Sequence, residues 1–176
     1  MRRKSMTVQQ LTRIAVLAAL ASILFMIEVP ITSFYKLDFS NLPVLLGGFS
    51  MGAGPGMLIL GVKSLLGLLH SSTGGVGELA DFLMGAAMLL PAALIYQHGK
   101  SRKTAAIGMM FGTVCMVAAA AAVNYLLLFP MLTHSYPSFE FILTVTAPFN
   151  LFKGVAISGV TYLIYKPLSP LLHVRK

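Results

Sequence analysis

The sequence predicts an all-α membrane protein with six transmembrane helices, of which helices two and three are short, and with both termini in the cytoplasm. The composition is 57% hydrophobic and only 10% charged, with a mean hydropathy of +0.84, whereas soluble domains are about 25% charged. The apolar residues form runs that approach the roughly 20 residues a bilayer-spanning helix needs. Basic residues lie at the ends of these runs, so the net charge of +8 does not indicate nucleic-acid binding. We expect one integral membrane domain, 1–176.

Six apolar runs predict the helices. Helix one, 11–27, is expected to be retained rather than cleaved, because its apolar run continues past the small residues that resemble a signal-peptidase site. Helix two, 42–51, is too short to cross straight and breaks at the glycine-rich turn 52–56. The remaining helices are predicted over 57–69, 79–96, 104–129 and 141–165. In the alternative, helices two and three form one re-entrant hairpin, which leaves four full spans.

The basic residues predict the orientation. Ten of the 13 lysines and arginines lie on the side of the termini and of the loop between helices four and five, namely Arg2, Arg3, Lys4, Arg13, Lys100, Arg102, Lys103, Lys166, Arg175 and Lys176. The positive-inside rule assigns this side to the cytoplasm. The three polar loops then face outward.

Polar residues inside the apolar runs are the candidate functional residues. A charged side chain at the helix centre costs about 2.5–3.5 kcal/mol on insertion scales, so such residues face the protein interior and mark ligand paths. Asn150 and Lys153 in helix six are three residues apart and share a face. Asn124 in the antiparallel helix five lies at a similar depth. Lys63 in helix three is a further candidate, with snorkelling of its stem as the equal alternative.

Asn124, Asn150 and Lys153 predict a donor-rich pocket, open to the outside, for a flat heteroaromatic ligand. An amide offers both a donor and an acceptor, and lysine offers donors to a ring carbonyl. Apolar contact would come from neighbouring aromatic residues, namely Tyr125, Phe149 and Phe152. In the structural alternative, the two amides and the lysine bond only to one another. Glu78 and Asp81 open helix four, where they either favour the helix dipole or bind a hydroxylated ligand tail.

No motif indicates covalent chemistry or a metal. Gly48-Phe49-Ser50-Met51-Gly52 has the spacing of a nucleophile elbow, but that motif needs a strand–turn–helix context, and close helix packing by small residues is favoured. An intramembrane enzyme acting through Ser50 is the alternative from another class. The chain has no P-loop, and its four histidines are scattered without metal-site spacing. A stripe of small residues on helix one, including Ala15 and Ala19, is typical of close helix–helix approach, within the chain or with a partner.

Four stretches resemble the substrate-binding S components of energy-coupling-factor (ECF) vitamin transporters, and among these the riboflavin-specific members: LDFSNLPVLLGGFSMGAGPG, STGGVGELADFLMGAAMLLPAALIY, VNYLLLFP and APFNLFKGVAISGVTYLIYKPLSPLLH. They cover more than half of the chain. The resemblance implies a bacterial plasma-membrane protein that binds riboflavin outside, as a transported substrate rather than a cofactor. It also implies a membrane coupling subunit (EcfT) and two cytoplasmic ATPases (EcfA and EcfA′) as partners, so the chain itself would not be an enzyme.

The resemblance also implies roles for individual residues. Asn124, Asn150 and Lys153 would hold the isoalloxazine ring, and Ala15 and Ala19 would dock onto the coupling subunit. The outer loops 35–40 and 133–140 would form a gate. The further residues expected to contact the ligand are Leu37, Phe39, Lys63, Gly75, Glu78 and Asp81. The alternatives are an S component for another vitamin (FMN, pantothenate or thiamine) and a standalone carrier driven by ion gradients.

Overall fold

The computed structural model describes residues 6–31 and 35–172, with side chains as far as Tyr165. Five of the basic residues that predict the orientation in the membrane lie outside the described residues, namely Arg2, Arg3, Lys4, Arg175 and Lys176. The assignment of the termini to the cytoplasmic side therefore still depends on the positive-inside rule. The helices are α1 (Val8–Met26), α2 (Asn41–Met51), α3 (Ala53–Gly67, extended by a 3-10 turn to His70), α4 (Val76–Gly99), α5 (Arg102–Thr133) and α6, which begins at Phe139 and ends at Leu172.

The all-α membrane fold is confirmed. Five of these helices are long and apolar enough to span a bilayer, and α2, with 11 residues, is shorter. The predicted start of helix three at residue 57 is too late, because α3 begins at Ala53 and with its 3-10 turn spans 18 residues. Within the predicted turn 52–56, the helix is interrupted at Gly52, which has a φ of 106°. Pro55 lies in the first turn of α3, where a missing N–H leaves no helical hydrogen bond unmade. A separate α3 favours six helices over the re-entrant hairpin.

The short helix α2 lies in the centre of the bundle. Its first nine residues, 41–49, are all buried, as expected for a helix that is apolar on every side. A Cβ atom on Gly56 of α3 would lie 3.0 Å from the Gly48 Cα atom of α2, so glycine is needed where these two helices touch. Ser50 donates to the Gly47 carbonyl of its own helix at 3.3 Å. These contacts support the packing interpretation of the Gly48–Gly52 motif.

The segment between α1 and α2 is more ordered than the loop that the sequence predicts. Strands β1 (Val29–Pro30) and β2 (Lys36–Leu37) form an antiparallel pair in which Val29 is opposite Leu37. Lys36 and Glu28 form an ion pair across this hairpin. After β2 the chain turns into the bundle, where the side chains of Asp38 and Ser40 are buried. This turn brings Asp38 to Lys153 of α6 and Ser40 to Lys63 of α3.

Candidate ligand-binding site

A cavity of about 380 Å³ lies between the α1–α2 segment and helices α4, α5 and α6. Its volume is within the range of roughly 300–1,000 Å³ that is typical of small-molecule pockets. Aromatic and aliphatic side chains and a group of polar side chains share its wall: Phe25, Glu28, Tyr35, Lys36, Asp38, Ser72, Thr73, Gly77, Glu78, Ala80, Asp81, Met84, Asn124, Leu128, Leu132, Phe149, Asn150 and Lys153.

Asn124 lies where α5 changes from α-helical to π-helical geometry, over Asn124–Leu128. Single π turns inside α-helices occur frequently at functional sites. The Asn124 side chain is buried, and its Nδ2 donates to the Ala120 carbonyl at 2.7 Å. Its Oδ1 has no hydrogen-bond partner among the described residues. An unpaired buried acceptor costs free energy, so Asn124 presents an acceptor that a ligand N–H in the cavity would satisfy.

Asn150 is positioned in a similar way by α6. Its Nδ2 donates at 2.9 Å to the carbonyl of Thr146, which is the last residue of a second π-helical segment, Ile142–Thr146. The hydroxyl groups of Thr146 and Tyr35 are hydrogen-bonded to each other, and the Tyr35 ring stacks on Phe149 with centroids 5.0 Å apart. The loop residue Tyr35 therefore closes an aromatic wall beside Asn150.

A buried cluster of two cations and two anions lies beside the amides. Lys153 Nζ donates to Asp38 Oδ2 at 2.7 Å and lies 3.7 Å from Asp81 Oδ1. Lys63 Nζ donates to Asp81 Oδ2 at 2.6 Å. Lys63 also donates to Ser40 Oγ and Asn41 Oδ1, both at 2.9 Å. The cluster is electrically balanced, which a buried group of charges requires.

Asp38 is ionised in this cluster. Burial by itself raises the pKa of Asp38, but the positive charges of Lys153 and Lys63 outweigh that effect and hold the pKa at about 2. Hydrogen bonds from Ser40 to the Asp38 carboxylate act in the same direction. At neutral pH the carboxylate of the α1–α2 segment therefore remains a counter-charge for Lys153.

The end of the cavity at the start of α4 is hydroxyl-rich. Glu78, in the first turn of α4, accepts hydrogen bonds from Ser71 Oγ at 2.7 Å and from Thr73 Oγ1 at 3.3 Å. The negative charge of a carboxylate is favourable at the N-terminus of a helix, because the helix dipole is positive there. Gly75 caps the helix at φ 93°, a backbone conformation that glycine adopts readily.

The structure brings together five of the residues that the sequence singled out, because the cavity is lined by Asn124, Asn150, Lys153, Glu78 and Asp81. The Lys63 side chain is fully buried and its ammonium group bonds to Asp81. Lys63 therefore does not extend its ammonium group toward the membrane surface, as the snorkelling alternative requires. The cavity-lining residues do not include Leu37, Phe39 and Gly75. In this segment Tyr35, Lys36 and Asp38 line the cavity instead, while Phe39 packs against the core.

Two further expectations differ from the structure. Tyr125 and Phe152 are 41% and 62% exposed, because each is turned away from the cavity-facing amide of its own helix, whereas Phe149 lines the cavity. Asn124 and Asn150 donate to backbone carbonyls and Lys153 donates to Asp38. The structural alternative, in which these three side chains bond only to one another, is therefore not what the structure contains.

Sequence reasoning placed the segment 35–40 beside the ligand, but it chose Leu37 and Phe39 there and missed Asp38 and Tyr35, which line the cavity. A signal for Asp38 was available. Two lysines inside apolar runs need counter-charges, and the whole chain has only five acidic residues, so an acidic residue beside an apolar run is a candidate partner. No local pattern predicts the burial of Tyr35, because that burial depends on contacts with α6, more than a hundred residues away.

On the surface of α1, Ala15 and Ala19 face outward, whereas Ala18 and Ala21 are buried. The small-residue stripe at Ala15 and Ala19 is thus available to another protein. The structure does not use it for packing within the described chain.

Comparisons with known proteins agree on one family. The family model described as "ECF transporter, substrate-specific component" matches residues 9–165. A riboflavin transporter RibU of Staphylococcus aureus is 34% identical, covering 97% of each chain, and a riboflavin transporter FmnP of Bacillus subtilis is 29% identical, covering 94% of each. A solved S component of a bacterial ECF transporter is 35% identical, with a TM-score of 0.82 over 93% of this chain and 97% of the other. ThiT from Listeria monocytogenes, 15% identical with a TM-score of 0.71 over 93% of this chain and 96% of the other, shares the fold.

Proposed function

The chain belongs to the family of ECF transporter substrate-specific components, and from this premise we propose that it captures riboflavin on the extracellular side for uptake by an ECF complex. The membership confirms the resemblance seen in the sequence. It makes the chain an integral membrane transport component and not an enzyme. Riboflavin is then the transported substrate rather than a cofactor, and the chain acts as one domain over 1–176.

The observation that carries the proposal concerns the buried Asn124, which lines a cavity shared with Asn150 and Lys153 and whose Oδ1 has no hydrogen-bond partner among the described residues. The pyrimidine edge of a flavin alternates carbonyl oxygens with a ring N–H. Asn124 Oδ1 suits that N–H, and the lysine suits a carbonyl. The apolar lining, including Phe149 and Leu128, gives the ring most of its contact area.

The two ends of the cavity fit the two ends of riboflavin. The amides and Lys153 lie on α5 and α6, and we place the ring there. The hydroxyl-rich end, with Ser72, Thr73 and Glu78, is suited to the polyol chain, because carboxylate and hydroxyl oxygens accept hydrogen bonds from hydroxyl groups. In this placement Glu78 contacts the polyol chain of the ligand. Asp81, which is held by Lys63, instead contributes negative charge beside Lys153.

The transport cycle requires partners. The family implies a membrane complex with a coupling subunit and ATPases. We propose that the exposed Ala15 and Ala19 of α1 contact the coupling subunit, EcfT, in the plasma membrane, because small residues allow helices to approach closely in lipid. EcfA and EcfA′ would supply the energy from the cytoplasm. The hairpin and its continuation through Ser40 would close over the ligand.

A binding titration tests the proposal. Purified protein, freed of ligand, is titrated with riboflavin, FMN, pantothenate and thiamine, and flavin binding is read from fluorescence quenching. We expect riboflavin to bind most tightly. Asn124→Leu should weaken binding at least tenfold, whereas Tyr125→Leu, a change at the exposed neighbouring residue, should leave binding unchanged. Tightest binding of another vitamin would identify a different S component, and equal affinity of the two variants would move the site elsewhere.

A further inference from the structure

A second concave surface lies on the side of the bundle formed by α5 and α6. It is a groove of about 720 Å³ whose wall is almost entirely apolar. The lining residues come from both helices: Ala106, Ile107, Met109, Met110, Phe111, Thr113, Val114, Leu151, Val155, Ser158, Gly159 and Tyr162. It shares no residue with the cavity that holds Asn124 and Asn150.

Two of the polar side chains that line the groove satisfy each other's hydrogen bonds. The hydroxyl groups of Thr113 and Ser158 are 3.2 Å apart and bond to each other. A Cβ atom on Gly159 would have no neighbour within 4 Å, so space remains open above this glycine. Met110, Val114 and Val155 form exposed rims. The surface fits a flexible hydrocarbon chain better than a polar ligand.

One end of the groove is strongly basic. Lys103 precedes Ala106 and Ile107 by three and four residues, so it continues the groove-lining face of α5. Lys100 and Arg102 lie beside Lys103, and all three are exposed. They surround the N-terminus of α5, which is itself positive. The five acidic residues of the chain are all elsewhere: Glu28, Asp38, Glu78, Asp81 and Glu140.

The groove is about as long as the hydrocarbon region of one bilayer leaflet is thick. On α6 it extends from Leu151 to Tyr162, and a helix rise of about 1.5 Å per residue makes that about 17 Å. Half of a bilayer's hydrocarbon core is about 15 Å thick. The basic end belongs to the cytoplasmic side by the positive-inside rule, so the groove matches an acyl chain of the inner leaflet.

We propose that this groove binds an anionic phospholipid of the cytoplasmic leaflet. The phosphate head group contacts Lys103 and Arg102, and one acyl chain lies between α5 and α6, with Tyr162 beside the glycerol region. Attraction between a basic segment and anionic lipid is worth about 1 kcal/mol per cationic residue. What distinguishes a site from that general attraction is the apolar groove, which fixes the position of the chain.

The absence of tryptophan from the sequence permits a matched test. Tyr162→Trp places a fluorophore in the groove. Leu163→Trp places one at nearly the same membrane depth, on the next residue, which is exposed but does not line the groove. The protein is reconstituted in vesicles of phosphatidylcholine with brominated phosphatidylglycerol or brominated phosphatidylcholine. Quenching then gives the binding constant of the anionic lipid relative to the zwitterionic lipid at each position.

We expect the binding constant of the anionic lipid relative to the zwitterionic lipid to be at least about three for Tyr162→Trp and close to one for Leu163→Trp. Adding Arg102→Gln and Lys103→Gln should bring the Tyr162→Trp value close to one. Circular dichroism and size-exclusion chromatography establish that each variant is folded. Equal constants at the two positions, or a preference that survives loss of both charges, would overturn the proposal. So would a Tyr162→Trp fluorophore shielded from both lipids, which would indicate a second copy of the chain in the groove.

Discussion

Replacing Lys153 by methionine tests whether this lysine binds ligand or only balances Asp38. The Asp38 carboxylate is buried and lies 2.7 Å from Lys153 Nζ, and the other buried cation, Lys63, is held by Asp81 at 2.6 Å. Removing one partner of a buried ion pair costs about 3–5 kcal/mol. For a chain of this length that cost lowers the melting temperature by about 6–20 °C. The ligand would also lose a charge-assisted hydrogen bond of about 1.5–3 kcal/mol, which corresponds to a ten- to hundredfold weaker affinity.

The double variant Lys153→Met/Asp38→Asn separates the two effects. In the unmodified protein the Ser40 amide donates to Asp38 Oδ1 at 2.9 Å. An asparagine at position 38 keeps an acceptor for that amide, and it removes the negative charge that Lys153→Met leaves uncompensated. We expect thermal unfolding in detergent to show most of the lost stability restored. Fluorescence titration should show riboflavin affinity still weakened at least tenfold. Normal affinity in the double variant would refute the reasoning, because Lys153 would then act only as the counter-charge of Asp38.

Three further predictions concern the site, the docking face and pH. Asn124→Leu should leave the melting temperature of the ligand-free protein unchanged or higher, because it removes a buried acceptor without a partner, and a marked loss of stability would contradict this. Ala15→Leu and Ala19→Leu should preserve riboflavin binding while co-purification with the coupling subunit falls, and Leu20→Ala, on the same exposed side of α1, is the control that should retain the complex. The pKa of Asp38, about 2, lies below its ordinary 3.8, so its stabilising effect is complete above that ordinary value and is lost as the pH falls through 2. Thermal unfolding between pH 5 and 8 should therefore show no transition attributable to Asp38.

The sequence was most informative where the physical signal is local. Hydropathy predicted the existence and order of the six helices, although α6 ends at Leu172 and not at the predicted 165. Asn150 and Lys153, which are three residues apart, both line the cavity. The start of α3 was missed because Gly54, Pro55 and Gly56 are typical of a turn, yet the backbone breaks only at Gly52. Proline and glycine are tolerated in the first helical turn, and neighbouring helices supply the packing that favours helix there.

The rest of the site depends on contacts between distant parts of the chain. Asp38 bonds to Lys153 and Tyr35 to Thr146 across more than a hundred residues, and no periodicity encodes such pairs. The π-helical segments that precede Asn150 and begin at Asn124 are likewise invisible in a hydropathy pattern. They shift the helix register locally, so the depth of each amide could be placed from the sequence only approximately.

The balanced charges of the cluster bear on the kind of ligand that the cavity accepts. Lys153 and Lys63 are each matched by a carboxylate, Asp38 and Asp81 respectively, so among the residues that the structure describes the two amides have no uncompensated cation beside them. An anionic ring group entering there would have to displace Asp38 from Lys153 and leave that carboxylate buried without its cation, which is costly. A neutral ring needs only hydrogen bonds, and Lys153 can donate to a carbonyl while it keeps Asp38, because an ammonium group has three donors. The cluster therefore selects for an uncharged, carbonyl-bearing ring, a requirement that the isoalloxazine of riboflavin meets.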